Sequence, residues 1–157
     1  MLLCYFLLNN LLNNLLNRFN SLNTFNNNIL VIKELITSKL VYKNSISIDY
    51  NSRIKSQKRI IEKINRRRIP YDIYGLRIIY EDGLDMNNSQ FAYIIKDFIC
   101  NNFYTIDYLY DDYIKYPKIN KYQSLHVYII TNILIEVQIR NSLMNFNAIN
   151  GTAANYY

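Results

Sequence analysis

The chain holds three glycines, Gly75, Gly83 and Gly151, in 157 residues. Neither a Walker P-loop nor a GxGxxG turn can be built from them, so any phosphate site here must rely on side chains. Two cysteines, Cys4 and Cys100, stand far apart and form no CxxC pair. That excludes a zinc ribbon, gives a disulfide framework no support, and fits reduced cytosolic thiols. No run approaches the roughly 18 apolar residues of a membrane span. The N-terminal "MLLCYFLLNN" is apolar but lacks a basic leader region and a small-residue cleavage site.

Half of the residues are hydrophobic and 19% are charged, the balance of a folded globular domain. The length suits one domain with its own core. Asn, Ile and Tyr are abundant, as the codons of an AT-rich genome favour. The net charge of +6 favours polyanionic partners such as nucleotides, nucleic acid or an anionic surface. Eight of the 18 Lys and Arg lie between Arg53 and Arg68.

Leu pairs repeat four apart through residues 2–18 and predict a helix packing on the domain, or one offered to a partner. "NTFNNN", Asn23 to Asn28, reads as a low-complexity break, with a second helix from Ile29 to Val41. "SISIDYN" alternates Ile46, Ile48 and Tyr50 with polar neighbours, which is strand periodicity. Ser56 can cap a helix running to about Arg67, with Ile60, Ile61 and Ile64 on one face. "DIYGLRIIYED", Asp72 to Asp82, predicts a second strand, and "EDGLD" a turn. Met86 to Asn101 reads as a helix with Phe91, Ile94, Ile95, Phe98 and Ile99 inward. A third strand and a charged loop follow in "IDYLYDDYIKYPK". "SLHVYIIT" and "ILIEVQIR" predict a strand pair around Asn132, and the C-terminal segment begins helically. The fold class is therefore α+β, with a mixed central β-sheet flanked by helices.

"RIKSQKR", Arg53 to Arg59, sets Arg, Lys and a hydroxyl at a strand-to-helix junction, where free backbone N–H groups add positive potential. It reads as a phosphate grip or as a solvated basic face. Glu136 stands between Ile135 and Val137, and an unpaired buried carboxylate is costly. Either Glu136 faces solvent beside Arg140 or a lysine, or it is buried and paired. With Asp72 on a neighbouring strand it could then hold one Mg²⁺, water and phosphates completing the oxygen shell. In "PKINKYQSLHV", Tyr122, Ser124 and His126 share one face if a strand begins near Gln123. Tyr122 could stack on a nucleobase. His126, the only histidine, is structural or catalytic.

In order, "RIKS", "YDIYGLRII", "DYI..PK.N.YQSLH", "EVQIR" and "G.AA..Y" resemble the synthetase domain of the RelA/SpoT family, from about Tyr50 to Tyr157. The resemblance implies a nucleotidyltransferase-like fold. It implies transfer of pyrophosphate from ATP to the 3′-hydroxyl of GDP or GTP, with Mg²⁺ as cofactor. By motif, Arg53, Lys55, Ser56, Arg59 and Arg77 would bind ATP, Arg53 and Arg77 sandwiching the adenine. Asp72 and Glu136 would be catalytic and ligate the metal. Lys118, Asn120, Tyr122 and His126 would bind the guanosine nucleotide. Residues 1–44 would form a helical segment packing on a synthetase domain of residues 45–157.

The partners implied are the two nucleotides, with no obligatory nucleic acid and no membrane span; homo-oligomerisation stays open. The setting expected is cytoplasmic, or an organelle of plastid type. One histidine cannot build the HD metal site of the family's hydrolase domain. The sequence departs from the family at Lys121, where glycine is usual, at Leu109 before the Asp111–Asp112 pair, and at Ile149 and Asn155, which replace an acid and a histidine. A weakened, nucleotide-binding regulator and a basic nucleic-acid-binding module are the alternative functions.

Overall fold

The computed structural model describes residues 18–41, 46–81, 89–152 and 154. The leucine repeat as far as residue 17, the turn from Asp82 to Asp85, and Asn155 lie outside the described residues. The elements in chain order are α1 (Arg18–Ile36) with a π-helical turn at Thr37–Val41, β1 (Ser47–Ile54), α2 (Gln57–Asn65) and β2 (Tyr74–Glu81). There follow α3 (Gln90–Asn102), β3 (Tyr104–Thr105), a 3₁₀ turn (Asp107–Leu109), β4 (Asp111–Asp112), β5 (Leu125–Ile130), β6 (Leu134–Asn141) and α4 (Ser142–Asn150).

The strands form one sheet in the order β1-β2-β6-β5-β3, with β4 also pairing β5. β2 and β6 run parallel and the other pairs antiparallel. The register sorts the side chains into two faces, because laterally paired residues point the same way. Tyr50, Ile78, Ile139 and Leu125 make one row, and Ser52, Leu76, Val137 and Val127 the next. On this face Phe25, Ile29, Ile32 and Ile36 of α1 and Phe91, Ala92, Ile95 and Ile99 of α3 complete a single buried cluster. Ring contacts pin both helices: Phe25 lies 5.2 Å from Tyr74, and Phe91 5.4 Å from Tyr80.

The opposite face carries Arg53, Gly75, Glu136 and Tyr128 in one row and Asn51, Arg77, Gln138, His126 and Asp111 in the next. It is polar where its partner is apolar.

Three helical expectations need correction. α1 runs unbroken through Asn23–Asn28, and past Ile36 the chain stays helical to Val41, as expected, but as the π-helical turn. The spacing 25, 29, 32, 36 lays four apolar side chains on one stripe, and their burial overrides the poor helix propensity of asparagine. Ile61 is 56% exposed and Ile94 48% exposed, so α2 buries only Ile60 of its isoleucines and α3 turns Ala92 inward instead. α2 stops at Asn65, not Arg67, because Arg67 adopts φ 55°. The Arg67 N–H then donates to the Ile64 carbonyl and the Arg68 N–H to that of Lys63, a left-handed helix stop. Among the described residues no helix is long and apolar enough to cross a membrane.

Candidate active site

Glu136 is 4% exposed, on the polar face of a central strand. Its Oε1 accepts from the Tyr128 hydroxyl at 3.0 Å and lies 3.1 Å from Nδ1 of His126. Its Oε2 accepts from Nε2 of Gln138 at 2.9 Å, and an Arg53 guanidinium nitrogen stands 3.7 Å away. The carboxylate is therefore buried and paired, not solvent-facing, and its ion-pair partners are His126 and Arg53 rather than Arg140 or a lysine. Burial opposes its ionisation, but the hydrogen bond and charge of His126 outweigh burial and hold it below the usual carboxylate range. The same carboxylate pushes the Tyr128 phenol up, after burial itself.

The second carboxylate, Asp72, lies just before β2 and is 8% exposed. The Lys55 ammonium bonds one oxygen, and Lys63 of α2 donates to the other at 2.9 Å. Burial works against its charge, yet the two lysines keep it below its ordinary value. Burial in turn lowers Lys55, only partly offset by Asp72. Lys55 follows the end of β1, and its N–H donates to the Ile73 carbonyl at 2.8 Å, which holds this stretch beside the segment that carries Asp72. Asp72 and Glu136 sit close enough that the charge of Asp72 disfavours ionisation of Glu136.

Between Arg53 and Arg77 the sheet face is hollowed into a shallow pocket lined by Asn51, Ser52, Arg53, Gly75, Leu76, Arg77 and Gln138. Gly75 makes the hollow. A Cβ there would stand 3.3 Å from Cγ and Nε of Arg53, so the arginine lies this close across the strand because residue 75 has no side chain. Ser56 occupies the N-cap position of α2 but makes no side-chain cap bond, which leaves its hydroxyl at a helix N-terminus. Arg59 follows on the first turn of α2.

On the other flank, His126 Nε2 lies 2.9 Å from the Tyr122 hydroxyl, so a chain of contacts runs Tyr122, His126, Glu136. Tyr122 precedes β5, which starts at Leu125 rather than near Gln123, and Ser124 is buried with its hydroxyl donating to the Ile139 carbonyl. The Tyr113 ring stands edge-on to both His126 and Tyr122, at 5.1 and 6.0 Å. The Lys118 ammonium lies 4.1 Å from the Tyr113 ring centroid and 5.3 Å from that of Tyr122.

The turn explains that proximity. Lys121 donates to the Lys118 carbonyl at 2.7 Å, and Lys118 N–H to the Tyr122 carbonyl at 3.2 Å. With Lys121 at φ 62°, this is a three-residue hairpin loop whose last residue is left-handed, the position that favours glycine. Asn120 shapes the turn, its Oδ1 accepting from Tyr122 N–H at 3.3 Å. Asp112 is fully engaged nearby, accepting from the Tyr93 hydroxyl at 3.1 Å and from Lys115 N–H at 2.8 Å. Asp111 instead pairs His126 in the ladder. Ile149, on α4, is 53% exposed and displaces no core side chain.

The structure thus brings together Arg53, Lys55, Asp72, Arg77, Tyr122, His126 and Glu136. Sequence reasoning missed Lys63, Tyr113, Tyr128 and Gln138. Strand alternation carried the signal for two of them: Gln138 is two residues from Glu136, and Tyr128 two from His126.

Basic groups flanking two buried carboxylates on an open sheet face fit a protein that handles phosphorylated substrates. The chain belongs to the RelA/SpoT family: residues 52–157 match the region found in RelA / SpoT proteins. It is 31% identical over 140 residues, 85% of its length, to a guanosine-3′,5′-bis(diphosphate) 3′-pyrophosphohydrolase of Spiroplasma citri, and 33% identical over 88 residues to a probable chloroplastic GTP diphosphokinase of Oryza sativa subsp. japonica. It spans only 17% and 12% of those two proteins. Among solved structures, small alarmone synthetase 1 from Bacillus subtilis, bound to its product pppGpp, superposes with a TM-score of 0.69 at 26% identity, over 89% of this chain and 80% of that one. The mixed sheet with its flanking helices matches that fold.

Proposed function

We propose that this chain transfers a pyrophosphoryl group from ATP to the 3′-hydroxyl of GDP or GTP, forming the pyrophosphorylated guanosine nucleotide and AMP. The observation that carries this reading is Glu136. It is a buried carboxylate, kept ionised, with the basic Arg53 side on one flank and the Tyr113, Tyr122, His126 and Lys118 cluster on the other. The acceptor hydroxyl has to lose its proton between two such flanks, and Glu136 is the base positioned to take it. The hydroxyl oxygen then attacks the β-phosphorus of ATP, and the bond from that phosphorus to the AMP oxygen breaks. Most of the rate enhancement comes from in-line positioning and charge neutralisation, as in phosphoryl transfer generally.

In this reading Arg53 and Arg77 hold the adenine between flat guanidinium groups, a task lysine cannot perform. Lys55, Ser56 and Arg59 hold the ATP phosphates, and Lys63 joins them. Tyr122 stacks on guanine, while Lys118, Asn120 and His126 contact the acceptor nucleotide. Asp72 and Glu136 would ligate Mg²⁺, which supplies charge neutralisation at the transferred phosphates. Their hard oxygen donors suit that ion. Among the described residues no three His, Cys, Asp or Glu converge, so phosphate oxygens and water would fill the rest of its shell. Asp72 would exchange Lys55 and Lys63 for the metal, which leaves both ammonium groups for phosphate.

The pppGpp-bound synthetase supports the direction of the reaction. The hydrolase name of the Spiroplasma relative belongs to a far longer protein, and the one histidine of this sequence is engaged by Glu136 and Tyr122. We read residues 45–157 as the catalytic unit and residues 1–44 as a helical segment on it; the share of α1 in the core supports the second part. A cytoplasmic or plastid-type setting suits these substrates. The test is purified protein with Mg²⁺, labelled ATP and GDP or GTP. Labelled pyrophosphorylated guanosine and AMP are expected. Nucleotide binding with no such product would overturn the reading.

A further inference from the structure

Arg140 has a burial that ordinary packing does not explain. It lies on β6 two residues beyond Gln138, on the polar face, and is 1% exposed. A guanidinium taken out of water is costly unless a carboxylate pairs with it, and an aliphatic side chain would fill the same space without that cost. Among the described residues no carboxylate forms an ion pair with it, and its Nε has no hydrogen-bond partner. Burial first, and the charge of Arg77 next, pull its pKa down to about 10, so it stays protonated at neutral pH. Glu136, on the same face, is committed to His126 and Arg53 instead.

Two contacts remain. A terminal nitrogen of Arg140 donates to Oδ1 of Asn145 at 2.7 Å, and its guanidinium carbon lies 5.9 Å from the ring centroid of Tyr122. Asn145 belongs to α4, whose start is fixed by Asn141 capping the Met144 N–H at 2.8 Å. Just past the other end of α4, the Thr152 hydroxyl donates to the Asn120 carbonyl at 2.9 Å, inside the turn that leads to Tyr122. α4 therefore reaches the acceptor turn from both ends, once through Arg140 and once through Thr152.

We infer that Arg140 is a positioning residue of the acceptor subsite: anchored by Asn145, its guanidinium holds the ring of Tyr122 at the angle on which the guanine base stacks. The inference rests on the stacking role proposed for Tyr122. A cation against the ring restrains it without blocking its whole surface, and the flat fork of arginine bonds Asn145 while still facing the ring. Lysine could supply the charge but not both contacts.

The test compares wild type with Arg140→Lys, Arg140→Met and Asn145→Ala. It measures kcat, the KM for GDP and for ATP, the dissociation constant of a fluorescent GDP without ATP, and thermal melting. Arg140→Met is expected to raise the GDP constants about tenfold, Asn145→Ala about fivefold and Arg140→Lys by an intermediate factor, while the ATP KM stays within about twofold. A merely structural arginine would move both substrates together or only the melting temperature. Should Arg140→Met fail to fold, Asn145→Ala decides. Folded variants whose GDP constants match wild type, or whose ATP and GDP constants rise in parallel, overturn the inference alone. A wild-type protein that binds no GDP overturns the catalytic reading, and this inference with it.

Discussion

On β6, Ile135, Val137 and Ile139 point to one side of the sheet and Glu136, Gln138 and Arg140 to the other, although all six are buried. The first three meet α1 and α3 and gain the usual stabilisation of apolar burial. The other three are held out of water at a cost that only hydrogen bonds and paired charges offset. One strand thus separates what keeps the chain folded from what the chain is folded for. A conflict of this kind between local chemistry and burial is expected at a functional site.

The sharpest break of that comparison is Glu136→Gln. Loss of the base is expected to lower kcat by about 10³, within the range typical of general-base removal. The melt should fall modestly, because Gln keeps the volume but one of the two accepting oxygens becomes an NH2, and the stability that the ionised carboxylate contributes at neutral pH is lost. Labelled-ATP turnover and a thermal melt on the same sample check both halves; a collapse of the melt would show that the polar face also holds the fold. Next in size, Ile32→Ala empties a fully buried position on α1 and is expected to cost about 2–5 kcal/mol in urea unfolding. Its kcat, measured where the variant is folded, should stay near wild type.

The apolar face was the more legible of the two. Alternation at Ile46, Ile48 and Tyr50 and the Ile–Tyr run after Asp72 announced β1 and β2 without any partner being known. Where the reading failed, tertiary burial outweighed local propensity: Asn23–Asn28 looked like a break because the stripe through Phe25 and Ile29 has meaning only against a sheet. Two-residue strands such as β3 and β4 leave no period to detect. Site residues within a motif were visible. Lys63 was not, since its meaning is an ion pair with Asp72, nine residues away across a helix end and a loop.

Acid sharpens the contrast between the faces. Asp72 and Glu136 are both held below their ordinary values of 3.8 and 4.5, so each binds a proton more weakly when folded than when unfolded. Their contribution to stability is complete above those ordinary values and is lost as pH falls through the lower folded ones. Wild type should therefore lose melting temperature as the pH drops below 4.5. Glu136→Gln should show a shallower acid limb. Ile32→Ala should keep the wild-type slope while melting lower at every pH.

Gly75→Ala probes the polar face more gently. The added Cβ would meet Arg53 at 3.3 Å, and Arg53, whose side chain is half exposed, can yield by a few tenths of an ångström. The expected result is a near-normal melt with a KM for ATP raised several-fold and an unchanged KM for GDP. A rise in the GDP constant instead would mean that the Arg53–Gly75–Arg77 hollow does not belong to ATP.

The smallest effect is expected at Lys121, whose φ of 62° sits in a region that costs an L-residue roughly 1–2 kcal/mol. Lys121→Gly removes that strain but adds conformational freedom to the unfolded chain, a loss of about 0.5–1 kcal/mol. The two terms leave a net stabilisation between about zero and about 1.5 kcal/mol, readable as a rise in the urea midpoint. The hydrogen bonds of the turn, from Lys121 to Lys118 and from Lys118 to Tyr122, use backbone atoms that the substitution keeps. The GDP constant should then stay within about twofold, since one exposed charge at this distance is worth little in water. A large loss of GDP binding with the turn intact would instead make the Lys121 ammonium a contact to the acceptor, and the polar face would extend one residue further along the hairpin than the buried network defines.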